Sequence, residues 1–178
     1  KCWAKVVGKL LAHPFPKAKK LVIDSSEIRG AGQRVQGYGW ISLGDRPFQH
    51  ALMNIRKLLN KRAGYLLTSV DIVDVMNFLG TVLSTRRSAE IAILPFNHNE
   101  WEDFAKMKKD HWVDNPQRSQ SNNSILFQSK PTRKELEKIF DIMLESGGSE
   151  PGIINGEVAR KRASWFSGTN PCGEILLS

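Results

Sequence analysis

A single cysteine lies between an amide and a carboxylate near the end of the chain, in the segment Asn170-Pro171-Cys172-Gly173-Glu174. Proline fixes the backbone before the thiol, and glycine permits a close approach directly after it. If the segment is extended, Cys172 and Glu174 face the same side because they are two residues apart. A thiol, an acid–base carboxylate and a hydrogen-bonding amide would then meet one small substrate. The alternative is a turn before a buried strand, with a chemically inert cysteine.

Other signatures of chemistry are missing from the sequence. The stretch from Gly30 to Val35 lacks the third glycine of a dinucleotide-binding fingerprint. The four histidines are scattered, so we expect no metal site. The second cysteine, Cys2, lies at the opposite end of the chain, which argues against a disulfide framework and favours a reducing, cytoplasmic location. The apolar run from Ile91 to Phe96 is too short to cross a bilayer, and we expect neither a signal peptide nor a membrane partner.

The chain is basic, with a formal net charge of +8 over 178 residues. Such a charge fits either a solvated surface or a polyanionic partner, which could be a nucleic acid or the phosphates of a nucleotide. Trp165-Phe166 beside Arg160-Lys161-Arg162 supports the alternative function of a basic nucleic-acid-binding module. We interpret that basic run and the run Lys106-Met107-Lys108-Lys109 as solvated faces of the protein.

The elements that position these residues follow from the apolar spacing. Helices are predicted at Trp3–Leu11, Phe48–Leu59, Thr68 to about Leu83, Glu100–Lys108 and, after a capping box, Thr132 to about Glu145. In the third helix, the predicted buried stripe is Val73, Met76, Leu79 and Val82. Strands are predicted at Leu21–Ile23, Ile91–Leu94, Ile125–Phe127, Ile153–Ile154 and Ile175–Leu177, with a loop over His111–Asn123. Alternating helices and strands favour an α/β fold with a largely parallel sheet or barrel.

Several further segments accompany the cysteine segment in a fixed order. They are Ser26–Gly32 with Gly37-Tyr38-Gly39, Leu67–Asn77, Thr85–Ala92, Ser121–Ser124, Gly148–Asn155 and Arg162–Thr169. Together they resemble the ribonucleotide reductases, from about Asp24 to the last residue. The Asn-Pro-Cys-Gly-Glu form and the Arg-Arg-Ser-Ala-Glu-Ile loop are most similar to the adenosylcobalamin-dependent (class II) members of that family, rather than to the di-metal class.

The resemblance implies an α/β fold that is part of a ten-stranded reductase-type barrel. Residues 1–178 would form a single incomplete segment of the catalytic barrel, in which a radical-cysteine loop over 167–174 enters the barrel. Two effector loops would lie at about 24–45 and 84–90. A complete reductase needs a reducing pair of cysteines that flanks the radical cysteine in space, and this chain lacks that pair, so we expect the isolated chain to be inactive.

The resemblance also implies roles for individual residues. Cys172 would carry a thiyl radical that takes the 3′ hydrogen of a ribonucleotide, Glu174 would accept the 3′-hydroxyl proton, and Asn170 would hold the ribose hydroxyls. The residues expected to bind substrate are Asn122, Asn123, Ser124 and Gly173. The residues expected to bind effector are Arg29, Arg34, Arg86, Arg87 and Ser88. Compensation of a helix dipole is the alternative for the arginine pair, and a capped turn is the alternative for the asparagines.

The implied partners follow from the same resemblance. Adenosylcobalamin would supply the initial radical to the complete enzyme, because the cofactor does the difficult step and the protein orients it. A ribonucleotide substrate, a deoxynucleotide effector and a thioredoxin-like dithiol reductant complete the reaction, which yields 2′-deoxyribonucleotides for DNA replication. A complementary C-terminal part of the reductase, with or without an N-terminal part, would complete the barrel. Diphosphate and triphosphate substrates both remain open.

Overall fold

The computed structural model describes residues 2–12, 21–36, 41–82 and 90–178. The helices are α1 (Cys2–Ala12), α2 (Arg46–Lys61), α3 (Ser69–Gly80), α4 (Trp101–Lys106), α5 (His111–Asp114), a 3-10 helix (Pro116–Gln120), α6 (Arg133–Ser146) and α7 (Gly156–Arg162). The strands are β1 (Glu90–Pro95), β2 (Ser121–Phe127), β3 (Gly152–Asn155), β4 (Gly168–Thr169) and β5 (Leu176–Leu177). The predicted mixed α/β class with a parallel sheet is therefore confirmed.

The described residues divide into two compact units. The first contains the residues up to Leu67 together with Phe78–Val82, and the second contains Thr68–Asn77 together with the residues from Glu90 onward. None of the described helices is both long enough and apolar enough to cross a membrane.

The first unit contains α1, α2 and the described residues between them. The apolar residues of α2 recur at helical spacing, and the buried ones are Phe48, Ala51, Leu52, Ile55 and Leu59. Trp3 of α1 packs on Phe48, with ring centroids 4.7 Å apart. The strand predicted at Leu21–Ile23 is wrong: this segment is irregular and Val22 is exposed. A short apolar run forms a strand only where a partner satisfies its backbone, and no such pairing exists for it within the described residues.

The second unit contains the parallel sheet, in the order β1-β2-β3. Ile93 of β1 lies opposite Ser124 of β2, and Ser124 lies opposite Gly152 of β3. One face of the sheet packs on a buried apolar cluster that includes Phe104, Met107, Ile125, Phe127, Ile139 and Ile142. Phe104 and Met107, which are three residues apart in the helix predicted at Glu100–Lys108, are both buried in this cluster.

The segment His111–Asn123 is not the loop that its polar residues predict. It forms α5 and the 3-10 helix, and β2 already begins at Ser121. Gln117 and Arg118 reach α3 from here, because both donate to the carboxylate of Asp74. Long-range partners therefore give this polar sequence its structure.

The predicted apolar stripe is confirmed only in part: Val82 is buried and Val73 packs against the apolar cluster, but polar side chains also lie on the buried side of α3. Asp71, Asp74 and Asn77 are buried at helical spacing, whereas Met76 is half exposed. Arg118 explains part of this arrangement, since it binds Asp74 through two bonds of 2.8 and 2.6 Å. The predicted start of the helix is confirmed, because Asp71 accepts from the Thr68 N–H and hydroxyl at 2.8 Å each and its own N–H donates back to the Thr68 hydroxyl.

Helix α6 agrees with its local signals. Thr132 accepts from the backbone N–H of Glu135, whose carboxylate accepts from the N–H of Thr132 at 2.7 Å. Gly147 ends the helix in the left-handed conformation, with φ of 62°, which favours glycine because it has no Cβ. Helix α7, which directly follows β3, was not predicted. Asn155 caps it by accepting from the N–H of Val158 at 3.1 Å.

Candidate active site

The cysteine lies on a tight loop that joins β4 to β5. These two strands pair antiparallel, with Thr169 opposite Leu176. Asn170 makes three hydrogen bonds that hold the loop closed. Its N–H donates to the Ile175 carbonyl at 3.1 Å, and its carbonyl accepts from the Gly173 N–H at 2.9 Å. Its side-chain oxygen accepts from the Ile175 N–H at 2.9 Å. The amide oxygen of Asn170 therefore shapes the loop.

The expectation that Cys172 and Glu174 share one extended segment is wrong. Gly173 between them has a φ of 80°, so the chain turns there instead of continuing as a strand. This is a conformation that glycine tolerates and other residues rarely adopt. Both side chains are exposed, and they line two neighbouring cavities. Gly173 lines both cavities, so a ligand that covers Gly173 can contact the thiol and the carboxylate together.

Asn122, Asn123 and Ser124 lie within β2, not in a turn before it. Asn122 donates its side-chain N–H to the carbonyl of Pro171 at 2.7 Å, which ties the sheet to the cysteine loop. Ser124 is covered closely by β3: a Cβ on Gly152 would lie 2.7 Å from its hydroxyl oxygen. The parallel register thus places the predicted substrate residues beside the predicted radical cysteine.

Asn123 is fixed from two sides. Its side-chain oxygen accepts from the Ser121 hydroxyl at 2.8 Å, and its backbone N–H donates to Glu150 at 3.0 Å. Glu150 also forms an ion pair with Lys108 at 2.8 Å, and Lys108 donates to the Ser121 carbonyl as well. The interpretation of Lys108 as part of a solvated face is therefore wrong.

The cavity at Cys172 has a volume of about 430 Å3. This falls in the size range of small-molecule sites. The predicted site residues that line it are Asn122, Asn123, Ser124, Cys172 and Gly173, together with Glu150 and Thr169. Sequence reasoning missed Lys108, Glu150 and Thr169 as parts of this site. Glu150 and Thr169 lie in segments that carry the family resemblance, but nothing local indicates that Lys108 reaches Glu150.

The neighbouring cavity, of about 320 Å3, is lined by Glu174 and by Arg162 of α7. The other two members of that basic run are already engaged: Lys161 pairs with Glu157 at 2.7 Å and Arg160 donates to the Gln128 carbonyl at 2.8 Å. Of the three, only Arg162 lines the cavity next to the cysteine loop.

The predicted effector residues are described only in part. Arg29 and Arg34 are exposed in the first unit, where Arg29 donates to the Arg34 carbonyl at 3.3 Å. Arg86, Arg87 and Ser88 lie outside the described residues. Glu90 is described at the start of β1, and burial raises its pKa to about 7. One of its carboxylate oxygens is buried and lacks a hydrogen-bond partner among the described residues.

Taken together, the geometry defines a mixed α/β protein with a cysteine-bearing loop beside a polar cavity at a parallel sheet. The chain is 37% identical, over 90% of its length, to the adenosylcobalamin-dependent ribonucleoside-triphosphate reductase of Lactobacillus gasseri. It is 36% identical to the protein of that name from Lactobacillus acidophilus, over 89% of the chain, and 33% identical to that of Lacticaseibacillus paracasei, over 99% of the chain.

The aligned region is a segment of these relatives, because the chain spans only 22–25% of their length. The predicted resemblance to adenosylcobalamin-dependent reductases is confirmed by these similarities. No family model matches the chain, and no solved structure matches it.

Proposed function

We propose that the chain is a segment of an adenosylcobalamin-dependent ribonucleotide reductase in which Cys172 carries the radical that acts on the substrate. The observation that carries the proposal is the similarity to such a reductase over 99% of the chain, which includes the segment with an exposed thiol beside a polar cavity. An exposed sulfur suits this role, because it can be reached by a radical generator that other parts of the enzyme hold. Adenosylcobalamin supplies that radical when it is bound.

The residues of the loop would have separate roles in the reaction. Cys172 removes a hydrogen atom from the ribose, and Glu174, across Gly173, accepts the hydroxyl proton. The side-chain NH2 of Asn170 and the residues of β2 orient the sugar. The loop is held by its own hydrogen bonds and by Asn122, so the thiol is positioned before substrate arrives.

The remaining strands of the barrel would pair with the two outer strands of the sheet, β1 and β3. Within the described residues, β1 and β3 each pair with β2 alone, which leaves one edge of each strand for a further strand. A ten-stranded barrel would satisfy both edges. The exposed Arg29 and Arg34 would then take part in effector binding, as guanidinium groups suit phosphate.

Electron paramagnetic resonance tests the radical role. The chain is mixed with a protein that covers the rest of a relative's reductase, adenosylcobalamin and a ribonucleoside triphosphate. We expect a cobalt-coupled thiyl signal that Cys172→Ala abolishes and that the control Cys2→Ser retains. A signal that persists in Cys172→Ala would overturn the assignment, as would no signal in a mixture shown to bind cobalamin.

Nucleic-acid binding is the competing function, based on the +8 charge. The engagement of Arg160 and Lys161 within the fold weighs against it. Binding to a polynucleotide should weaken by orders of magnitude between about 50 and 200 mM salt, whereas binding of one nucleoside in a cavity should respond little. A steep salt dependence for a single-stranded oligonucleotide, without nucleoside binding, would favour the competing function.

A further inference from the structure

The positive charge of the chain is concentrated in its first part. Residues 1–67 contain 13 lysines and arginines against three aspartates and glutamates, whereas residues 68–178 contain 13 against 15. The net charges of the two parts are therefore +10 and −2, which together give the +8 of the whole chain. A charge segregated in this way indicates a polyanionic partner for the first part.

Helix α2 carries some of this charge on one exposed face. Arg46, His50, Met53, Lys57 and Lys61 are all exposed. Successive members are three or four residues apart, so the five side chains form one stripe along the helix. The apolar residues that α2 buries lie on the opposite side, so the helix has no second apolar face with which to enter a membrane.

The three cations of the stripe are not neutralised within the described residues. Arg46, Lys57 and Lys61 form no ion pair or hydrogen bond there, and α2 itself contains no aspartate or glutamate. The acid directly before the helix, Asp45, accepts from the side chain of Gln49 at 2.8 Å. The stripe is therefore open to an external anion.

These charges do not stabilise the helix that carries them. In the second unit, by contrast, Lys161 pairs with Glu157 one helical turn away at 2.7 Å. Lys57 and Lys61 have the same spacing but repel each other, and Arg46 lies in the first turn, where the helix dipole disfavours a cation. A role in binding accounts for residues that oppose local stability.

The dimensions and composition of the stripe favour duplex DNA over other polyanions. Arg46 and Lys61 are 15 positions apart, about 22 Å along the helix axis, so one nucleotide cannot contact both. The stripe has no aromatic side chain on which unpaired bases would stack, and Met53 is its only apolar residue, whereas protein interfaces have an apolar core. The major groove of B-form DNA admits an α-helix, but that of duplex RNA is too narrow to be entered.

We propose that the exposed stripe of α2 binds duplex DNA, with Arg46, Lys57 and Lys61 in contact with phosphates. This surface is distinct from the basic run Arg160-Lys161-Arg162 of α7. It also lies outside the cavities at Cys172 and Glu174, because none of its residues lines them. The proposal therefore does not depend on the reductase chemistry.

Fluorescence anisotropy of a labelled DNA duplex of about 20 base pairs tests the proposal with the full chain. Three phosphate contacts predict a slope of about −2.7 for the logarithm of the affinity against the logarithm of the salt concentration. The affinity should then fall about 40-fold between about 50 and 200 mM NaCl. The double substitution of Lys57→Gln and Lys61→Gln should reduce the slope to about −0.9 and this fall to about fourfold.

The double substitution of Lys134→Gln and Lys138→Gln is the matched control. These two lysines are also exposed and four residues apart on one helix, α6, so the net charge of the chain changes by the same amount. This control should bind the duplex with an unaltered slope. The α2 variant should melt no lower than the unaltered chain, because it removes a repulsion between two lysines.

Equal slopes for the two double variants would overturn the proposal, because binding would then follow the net charge alone. Binding of duplex RNA or single-stranded DNA as tight as that of duplex DNA would overturn it as well. Equally tight binding of polyglutamate would do the same and would indicate an acidic protein partner. None of these results bears on the radical test, which follows Cys172.

Discussion

Replacing Glu150 by glutamine tests whether its ion pair holds the wall of the cysteine cavity. Its carboxylate lies 2.8 and 3.0 Å from Lys108 Nζ and accepts the backbone N–H of Asn123 at 3.0 Å. The side chains of Lys108 and Glu150 are 15% and 30% exposed. Glu150→Gln leaves the lysine ammonium in this half-buried place without its counterion.

The magnitude follows from these exposures. Removing one member of a fully buried pair costs about 3–5 kcal/mol, whereas an exposed pair contributes about 0–1 kcal/mol. The Lys108–Glu150 pair lies between these limits, so Glu150→Gln should lower the free energy of unfolding by about 2 kcal/mol. The neighbouring pair of Lys109 and Glu145 is a matched control, with 3.8 Å between its charged atoms and side chains 45% and 57% exposed. Glu145→Gln should cost less than about 0.5 kcal/mol.

Urea unfolding, monitored by circular dichroism, gives the free energy of unfolding of both variants at low salt and at about 1 M NaCl. At that concentration the Debye length is about 3 Å, so any effect of Glu145→Gln should vanish while that of Glu150→Gln largely persists. Hydrogen exchange of the Asn123 amide should also accelerate in Glu150→Gln alone. Equal costs for the two variants, or a cost for Glu150→Gln that salt removes, would refute the reasoning.

The remaining expectations concern stability and its dependence on pH. Asp74→Asn should cost about 3 kcal/mol in urea unfolding, because it leaves the largely buried Arg118 without its bidentate partner; a cost below about 1 kcal/mol would contradict this. Glu90 has a folded-state pKa of about 7, above its ordinary 4.5, so the folded state binds the proton more tightly and stability falls as pH rises from 4.5 to 7. Glu90→Gln should therefore raise the free energy of unfolding by about 1 kcal/mol at pH 8, after allowance for partial exposure, and should leave it unchanged near pH 4. An equal increase at both pH values would show that the charge of Glu90 is not the cause. Thr132→Ala should cost about 1 kcal/mol through the lost helix cap, measured by thermal unfolding, with Thr132→Ser close to the unaltered chain.

Some features were determined by the sequence alone, because their partners lie within a few residues. The capping box of Thr132 and Glu135 and the final Gly147 predict α6 correctly, since the bonds that start and end a helix are local. The apolar spacing likewise predicts α2 and its buried face. The order of the quoted segments was also sufficient to indicate the reductase family, which the similar proteins support.

The tertiary structure decided the features that depend on distant residues. Lys108 and Glu150 are 42 positions apart, and Asn122 and Pro171 are 49 apart, so no local pattern predicts either contact. The polar stretch Ser121–Asn123 becomes strand because β1 pairs with it along one side, while the distant Glu150 accepts the N–H of Asn123. At Gly173, the bonds of Asn170 favour a turn over the extended form that the spacing suggested. Residue types thus identified the chemistry, but which side chains share a cavity depended on how distant segments pair, because burial and hydrogen bonding are satisfied only in the folded chain.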